Sequence, residues 1–334
     1  MELPKEIVER VNQLEEKYSS MGQSLESYLD GLLLSNYLTY WDYTQVDTLL
    51  TLQNPKTDFP DELIFIIYHQ ITELYFKLSL HEFNQIANNG RHIKPNGHDL
   101  GWKNSLDVKF FTERVVRINR YFEALTKSFD IMVDGMEREQ FLRYRMALLP
   151  ASGFQSAQYR MIEISATDFF NLVDKDVRPQ FEGKQASIEE MFPFIYWNKG
   201  ATELATGKKT LTLEQFEKKY SEKFMALANE YKTKNLWAKY KALSQQDQQN
   251  PQLINALKEL DVNVNVNWPL MHYKSAVRYL NQGQDDVPAT GGTNWQKYLP
   301  PRFQKRIFYP ELWSAEEKEN WGKGWVETNV FRTR

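Results

Sequence analysis

Residues 61–87 read DELIFIIYHQITELYFKLSLHEFNQIA, a long apolar run with no glycine and no proline. A strand in a globular protein rarely passes about 10 residues, so this stretch reads as one long helix. The pattern continues on either side. Over 105–133, Leu106, Phe110, Val116, Ile118, Phe122, Leu125, Phe129 and Met132 recur at mostly helical intervals. Residues 4–20 place Ile7, Val11 and Leu14 at steps of four and three. Further helices are expected over about 136–148 and 154–175. The one alternating run, VNVNVN at 262–267, is too short to seed a sheet and is bounded by Asp261 and Trp268-Pro269. The expected fold is all-α, a multi-helix bundle.

Helix starts are expected at three hydroxyl-x-x-acid/amide boxes, Ser187-Ile-Glu-Glu190, Thr212-Leu-Glu-Gln215 and Ser314-Ala-Glu-Glu317, where the hydroxyl and the acid or amide satisfy each other's backbone N–H groups. Breaks are expected at 54–60, 88–101 and 281–293, which gather Gly, Pro, Asn and Asp. Residues 198–262 are rich in Lys, Glu and Gln and contain QQDQQNPQ. They read as small amphipathic helices inserted on the surface of a single domain spanning 1–334.

Composition removes several classes of function. Lys and Arg number 41 against 44 Asp and Glu, for a net charge of −3, so the basic footprint of a nucleic-acid partner is missing. There is no cysteine, which excludes disulfides, thiolate zinc sites, iron–sulfur clusters and thiol nucleophiles. A metal must then be held by His, carboxylate, Tyr or Met. No apolar run approaches the 18 or more residues of a membrane span, and the acidic start MELPKEIVER lacks the layout of a signal peptide. The expectation is a cytoplasmic protein with no membrane partner.

Of the five histidines, His92 and His98 lie in a Gly/Pro/Asn loop and His81 at the polar edge of the long helix. His69 shares a face with Phe65 and Glu73, each one turn away. It reads either as a hydrogen-bonding group for a buried ligand or as a core histidine satisfied by Glu73 or a backbone carbonyl. His272 has Trp268 one turn before it and Ala276 one turn after, a flat face that suits an axial haem ligand, although a lone helix histidine is more often structural. Arg145 precedes an apolar Met-Ala-Leu-Leu segment and the Ser152-Gly153 turn; its guanidinium suits a carboxylate clamp as well as an ordinary ion pair. The chain has no His-Glu-x-x-His, EF-hand loop, Gly-x-Ser-x-Gly elbow or Gly-x-Gly-x-x-Gly.

Four blocks in order, Leu38-Thr-Tyr-Trp-Asp-Tyr43, Asp61 to Leu74, Leu149-Pro-Ala-Ser-Gly-Phe-Gln-Ser-Ala-Gln-Tyr-Arg160, and His272 followed by Thr290-Gly-Gly292, resemble the tryptophan 2,3-dioxygenase family. The resemblance covers roughly 35–165 and 266–312. It implies a helical homotetramer whose bundle encloses a b-type haem (heme b), with His272 as the iron ligand and Ser152 and Gly153 near the haem and dioxygen. It further implies L-tryptophan or a related indole amino acid as substrate. His69 would accept the indole N–H, Phe65 and Leu148 would pack on the ring, and Arg145 and Thr290 would hold the amino-acid end. Tyr40 and Tyr43 would wall the pocket from a neighbouring subunit. The implied reaction adds both atoms of O2 across the indole C2–C3 bond to give N-formylkynurenine.

The chain departs from the family pattern at several points. Pro269 stands where Arg is usual, and Phe141 where Tyr is usual. Ala289-Thr-Gly-Gly-Thr-Asn-Trp295 replaces Gly-Thr-Gly-Gly-Ser-Ser-Gly, and Gln284-Asp-Asp-Val-Pro288 stands where the family is basic. A related haem oxygenase acting on a modified indole or another aromatic amino acid, and a non-catalytic haem- or indole-binding protein, are the alternatives.

Overall fold

In the computed structural model, residues 3–94, 97–202, 208–280, 296 and 299–323 are described. They fall into two compact units, Met1–Leu52 with Arg91–Gly101, and Gln53–Gly90 with Trp102–Arg334.

The first unit holds α1 (Lys5–Ser20), α2 (Leu25–Leu34), α3 (Tyr40–Thr44) and α4 (Val46–Leu49), with a hairpin of β1 (Arg91–Ile93) and β2 (Asp99–Trp102), whose last residue is counted with the second unit. That hairpin is the only sheet among the described residues. Tyr18 of α1 stacks on Tyr28 of α2 with ring centroids 4.3 Å apart. Tyr40 and Tyr43 are exposed.

The second unit is built on α5 (Asp61–Ala87) and α6 (Val108–Ser128), continued by α7 (Asp130–Asp134), α8 (Arg138–Tyr144), α9 (Ala157–Ala166), α10 (Ile188–Met191), α11 (Tyr196–Gly200), α12 (Leu211–Tyr231), α13 (Leu236–Lys241), α14 (Gln245–Gln248), α15 (Pro251–Val262) and α16 (Trp268–Leu280). The all-α expectation holds. α5 packs on α6 and α9, α6 on α15, and α9 on α12. The seam on α6 is Phe111, Val115, Ile118, Phe122 and Leu125, all fully buried, at alternating steps of four and three that keep one stripe facing the core. Leu253, Leu257 and Leu260 of α15 repeat that spacing and are equally buried. Burying each such side chain contributes about 1.5–3 kcal/mol.

Several local features differ from the sequence expectation. The helix expected over 154–175 stops at Ala166. The Thr167 hydroxyl donates to the Phe308 carbonyl at 2.5 Å, and the Asn171 amide donates to both that carbonyl and the Thr167 hydroxyl, so these polar side chains are bonded to a distant segment. The capping boxes at Ser187 and Ser314 are formed. At the third expected start the cap is Thr210, whose hydroxyl accepts the Leu213 N–H; Thr212 lies inside the helix and donates to the Pro150 carbonyl at 3.0 Å. VNVNVN forms a π-helical turn, Asn263–Asn267, that joins α15 to α16. Residues 198–262, expected as small surface helices, include the 21-residue α12, and their Phe216, Phe224, Trp237 and Leu257 are buried. The polar composition occupies the outward faces while an apolar stripe reaches the core.

Candidate active site

α5 and α16 each present one imidazole to the same aromatic interior, and each fixes it in the same way. Nδ1 of His69 bonds the Phe65 carbonyl at 2.7 Å, and Nδ1 of His272 bonds the Trp268 carbonyl at 2.9 Å. Both partners lie one helical turn earlier. A carbonyl only accepts, so Nδ1 carries the proton in both rings and Nε2 keeps its lone pair. No hydrogen bond from the described residues occupies either Nε2.

Burial holds the His69 imidazole below its ordinary pKa, opposed by the Phe65 hydrogen bond and the Glu73 charge. Burial likewise pushes His272 down to about 4, and a charge on His69 pushes it further in the same direction. Both rings are therefore neutral at pH 7, which a metal-ligating imidazole requires. Glu73 does not satisfy His69; its carboxylate and its backbone carbonyl both accept from the Gln158 amide at 2.8 Å.

Aromatic rings connect the two histidines. Phe129 lies with its centroid 4.6 Å from His272, 5.2 Å from Trp268 and 5.6 Å from Tyr68. Tyr68 meets the His69 ring edge-on at 6.4 Å, and Trp268 meets His272 edge-on at 4.6 Å. On the other side of His69, Phe65 lies 4.1 Å away and is itself 6.0 Å from Tyr144 and 6.3 Å from Phe141. Phe141 packs 4.7 Å from Tyr279, which ties α8 to α16. Asp61 accepts the Glu137 N–H and Gln140 accepts the Asp61 N–H, which anchors the start of α8 against the start of α5.

Arg145 follows Tyr144 and opens the short 3-10 turn Arg145–Leu148. It is buried, and burial lowers the pKa of its guanidinium. Leu148 is partly buried against the main core. Gly153 lies directly beside His69, since a Cβ on it would stand 3.8 Å from Nε2. Ser152 caps the turn Gly153–Gln155, its hydroxyl accepting the Phe154 N–H and its own N–H donating to the Gln155 side chain. That turn is held from outside by α12, whose Thr212 carbonyl accepts from Gln155 at 3.1 Å and whose Thr212 hydroxyl bonds Pro150.

The structure thus gathers His69, Phe65 and Gly153 at one end of the aromatic interior and His272 at the other. Tyr40 and Tyr43 belong to the first unit, and Thr290 lies outside the described residues. Sequence reasoning gave no role at the site to Tyr68, to Phe129, which it placed only in the helical stripe of 105–133, to Gln155, or to Thr212, which it read as a helix start.

The sequence profile described as tryptophan 2,3-dioxygenase matches residues 32–248, more than half of the chain. The chain belongs to the tryptophan 2,3-dioxygenase family. Among proteins of that name, the one from Bacillus thuringiensis (strain Al Hakam) is 26% identical over 302 residues, 84% of this chain and 92% of that protein. The one from Ruegeria sp. (strain TM1040) is 38% identical over 126 residues, 38% of this chain and 40% of that protein, and the one from Herpetosiphon aurantiacus is 37% identical over 132 residues, 39% and 45% respectively. The stronger identity is therefore confined to a shorter segment, covering less than half of those two relatives. The family profile contains Phe65, His69, Arg145, Leu148, Ser152 and Gly153 but ends before His272.

Proposed function

We propose that this chain is a haem-dependent dioxygenase that opens the C2–C3 bond of L-tryptophan with O2 to give N-formylkynurenine. The observation that carries this reading is the pair of neutral imidazoles, each anchored through Nδ1 and open at Nε2, across an interior walled by Tyr68, Phe129 and Trp268.

The residues fit a haem. A single neutral imidazole beside flat rings is the donor set of a five-coordinate haem iron. Among the described residues no group of three or more His, Asp or Glu is assembled that would hold a bare ion instead. His272 would hold the iron through Nε2, and Ser152 and Gly153 would lie beside the bound group. When bound, the haem supplies the activation of dioxygen.

The chain's own groups bind and orient the substrate. The lone pair on Nε2 of His69 accepts the indole N–H, while Phe65 and Leu148 flank the ring. Arg145, already desolvated, takes the carboxylate in a two-pronged grip, and Thr290 takes a second polar group of the amino-acid end. Closing an aromatic wall around a zwitterion removes water, so each buried charge needs such a partner. As part of the same reading, the working protein is a cytoplasmic homotetramer in which Tyr40 and Tyr43 of the partner subunit close the pocket. No described helix is long and apolar enough to cross a membrane.

The test is absorbance of the full chain loaded with haem. A Soret band is expected in the wild type and its loss in His272→Ala. Addition of L-tryptophan, a reductant and air should then yield N-formylkynurenine. A haem-loaded wild type that leaves L-tryptophan intact would refute the proposed reaction.

A further inference from the structure

The helix that carries His272 begins on an irregular turn, and a buried polar network holds that turn. The Trp268 N–H donates five residues back, to the Asn263 carbonyl, in the π register. The next residue is Pro269, which has no N–H to give. The Val264 carbonyl is therefore left by both backbone donors that would serve it: Trp268, four residues on, is engaged elsewhere, and Pro269, five residues on, has none. Val264 is fully buried, and an unsatisfied buried carbonyl is strongly disfavoured.

Side chains from two other segments fill the gap. The Tyr159 hydroxyl of α9 donates to the Val264 carbonyl at 3.0 Å, and Nη2 of Arg306 donates to it at 3.3 Å. Nη2 also donates to the Tyr159 oxygen at 2.9 Å. Nε of the same guanidinium bonds Asn265, whose amide donates to Asp261 at 2.6 Å. Nη1 pairs with Glu163 at 2.5 Å, and Arg160 pairs with the same carboxylate at 3.1 Å. Two guanidiniums and two carboxylates thus balance in a buried cluster wrapped around the π-turn.

We infer that Tyr159 and Arg306 are positioning residues for His272, acting through the register of the turn Asn263–Asn267. The inference rests on the haem reading above only for its consequence in the loaded protein. In an ordinary α register, Pro269 would clash with the Asn265 carbonyl four residues back. The π-turn relieves that clash by carrying one extra residue, and π-turns within α-helices are frequent at functional sites. Each residue advances an α-helix by about 100°. Loss of the extra residue would swing the whole face of α16 away, and with it the Trp268 carbonyl that holds Nδ1 of His272. Tyr159 and Arg306 support the π register by occupying the Val264 carbonyl that it strands.

The experiment compares Tyr159→Phe with Tyr240→Phe in the full chain. Tyr240 makes an equivalent hydroxyl-to-carbonyl bond, to Gln248 at 2.7 Å, and takes no part in the hydrogen bonds that hold the turn. In the haem-loaded protein, Tyr159→Phe is expected to weaken haem affinity roughly 10-fold and to shift the iron–histidine stretching band of the reduced form, while Tyr240→Phe moves neither. In the haem-free protein, the Nδ1 proton of His272, followed by nitrogen-resolved NMR, is expected to exchange measurably faster in Tyr159→Phe, and at the wild-type rate in Tyr240→Phe. Arg306→Lys, which keeps the charge facing Glu163 but loses the fork, is expected to act like Tyr159→Phe. An unchanged ring-proton exchange rate in both variants, or the same change in Tyr240→Phe, overturns the inference whether or not haem binds. A wild type that takes up no haem overturns the haem reading instead, and the exchange comparison then decides the inference by itself.

Discussion

Gly153→Ala isolates the space in front of His69. A Cβ at this position meets one neighbour within 4 Å, Nε2 of His69, at 3.8 Å. That separation is ordinary van der Waals contact, so the folded chain accepts the methyl, and the stability change should stay within about 0.5 kcal/mol. The same methyl stands where a donor must approach. A hydrogen bond to Nε2 needs its donor about 2.9 Å away, and a carbon already in contact with that nitrogen occupies part of the approach. If the indole N–H is bound there, the substitution costs one buried hydrogen bond, about 1–3 kcal/mol, or roughly 5- to 150-fold in kcat/KM. The assay is steady-state formation of N-formylkynurenine, with haem content and the urea midpoint measured on the same preparation. Unchanged kcat/KM at full haem content would show that the substrate does not use Nε2 of His69. A large fall in stability would refute the geometry from which the magnitude is worked.

Other perturbations probe the remaining walls. Arg145→Ala should weaken L-tryptophan binding by about 2–5 kcal/mol, as expected for loss of a buried charge partner, whereas tryptamine, which has no carboxylate, should bind the variant no worse than the wild type; Soret titration of both ligands checks this. Phe129→Ala empties a nearly closed site against Tyr68, Trp268 and His272 and should cost about 3–5 kcal/mol of stability, read from urea unfolding of the haem-free chain. Burial raises Asp261 to about 6, against the hydrogen bonds from Phe308, Asn265, Tyr309 and Trp313 that favour its carboxylate. A raised carboxyl pKa contributes stability at low pH that is lost as pH rises through the folded value. The stability of the wild type relative to Asp261→Asn should therefore fall by about 1 kcal/mol between pH 5 and pH 7; a flat or rising difference would contradict the assignment.

Much of this protein follows from residue spacing alone. α5 and α6 were legible because a long apolar run without Gly or Pro, repeating every three to four residues, has no other compact solution. The pairs Phe65–His69 and Trp268–His272 were legible for the same reason, since residues four apart share a helix face. Tertiary packing decided the rest. Spacing did not show that His69 and His272 border one interior, because that depends on how α5, α6 and α16 meet. Nor did it show that Phe129 touches Trp268 and His272, since a stripe residue looks alike whatever it faces. The alternating Val and Asn of 262–267 gave no sign of a π-turn, because that register is held by Tyr159 and Arg306 from distant segments. The end of α9 at Ala166 likewise depended on a carbonyl at Phe308. Local periodicity sees neighbours within a turn or two of helix; the partners that set the site's geometry are brought in by the fold.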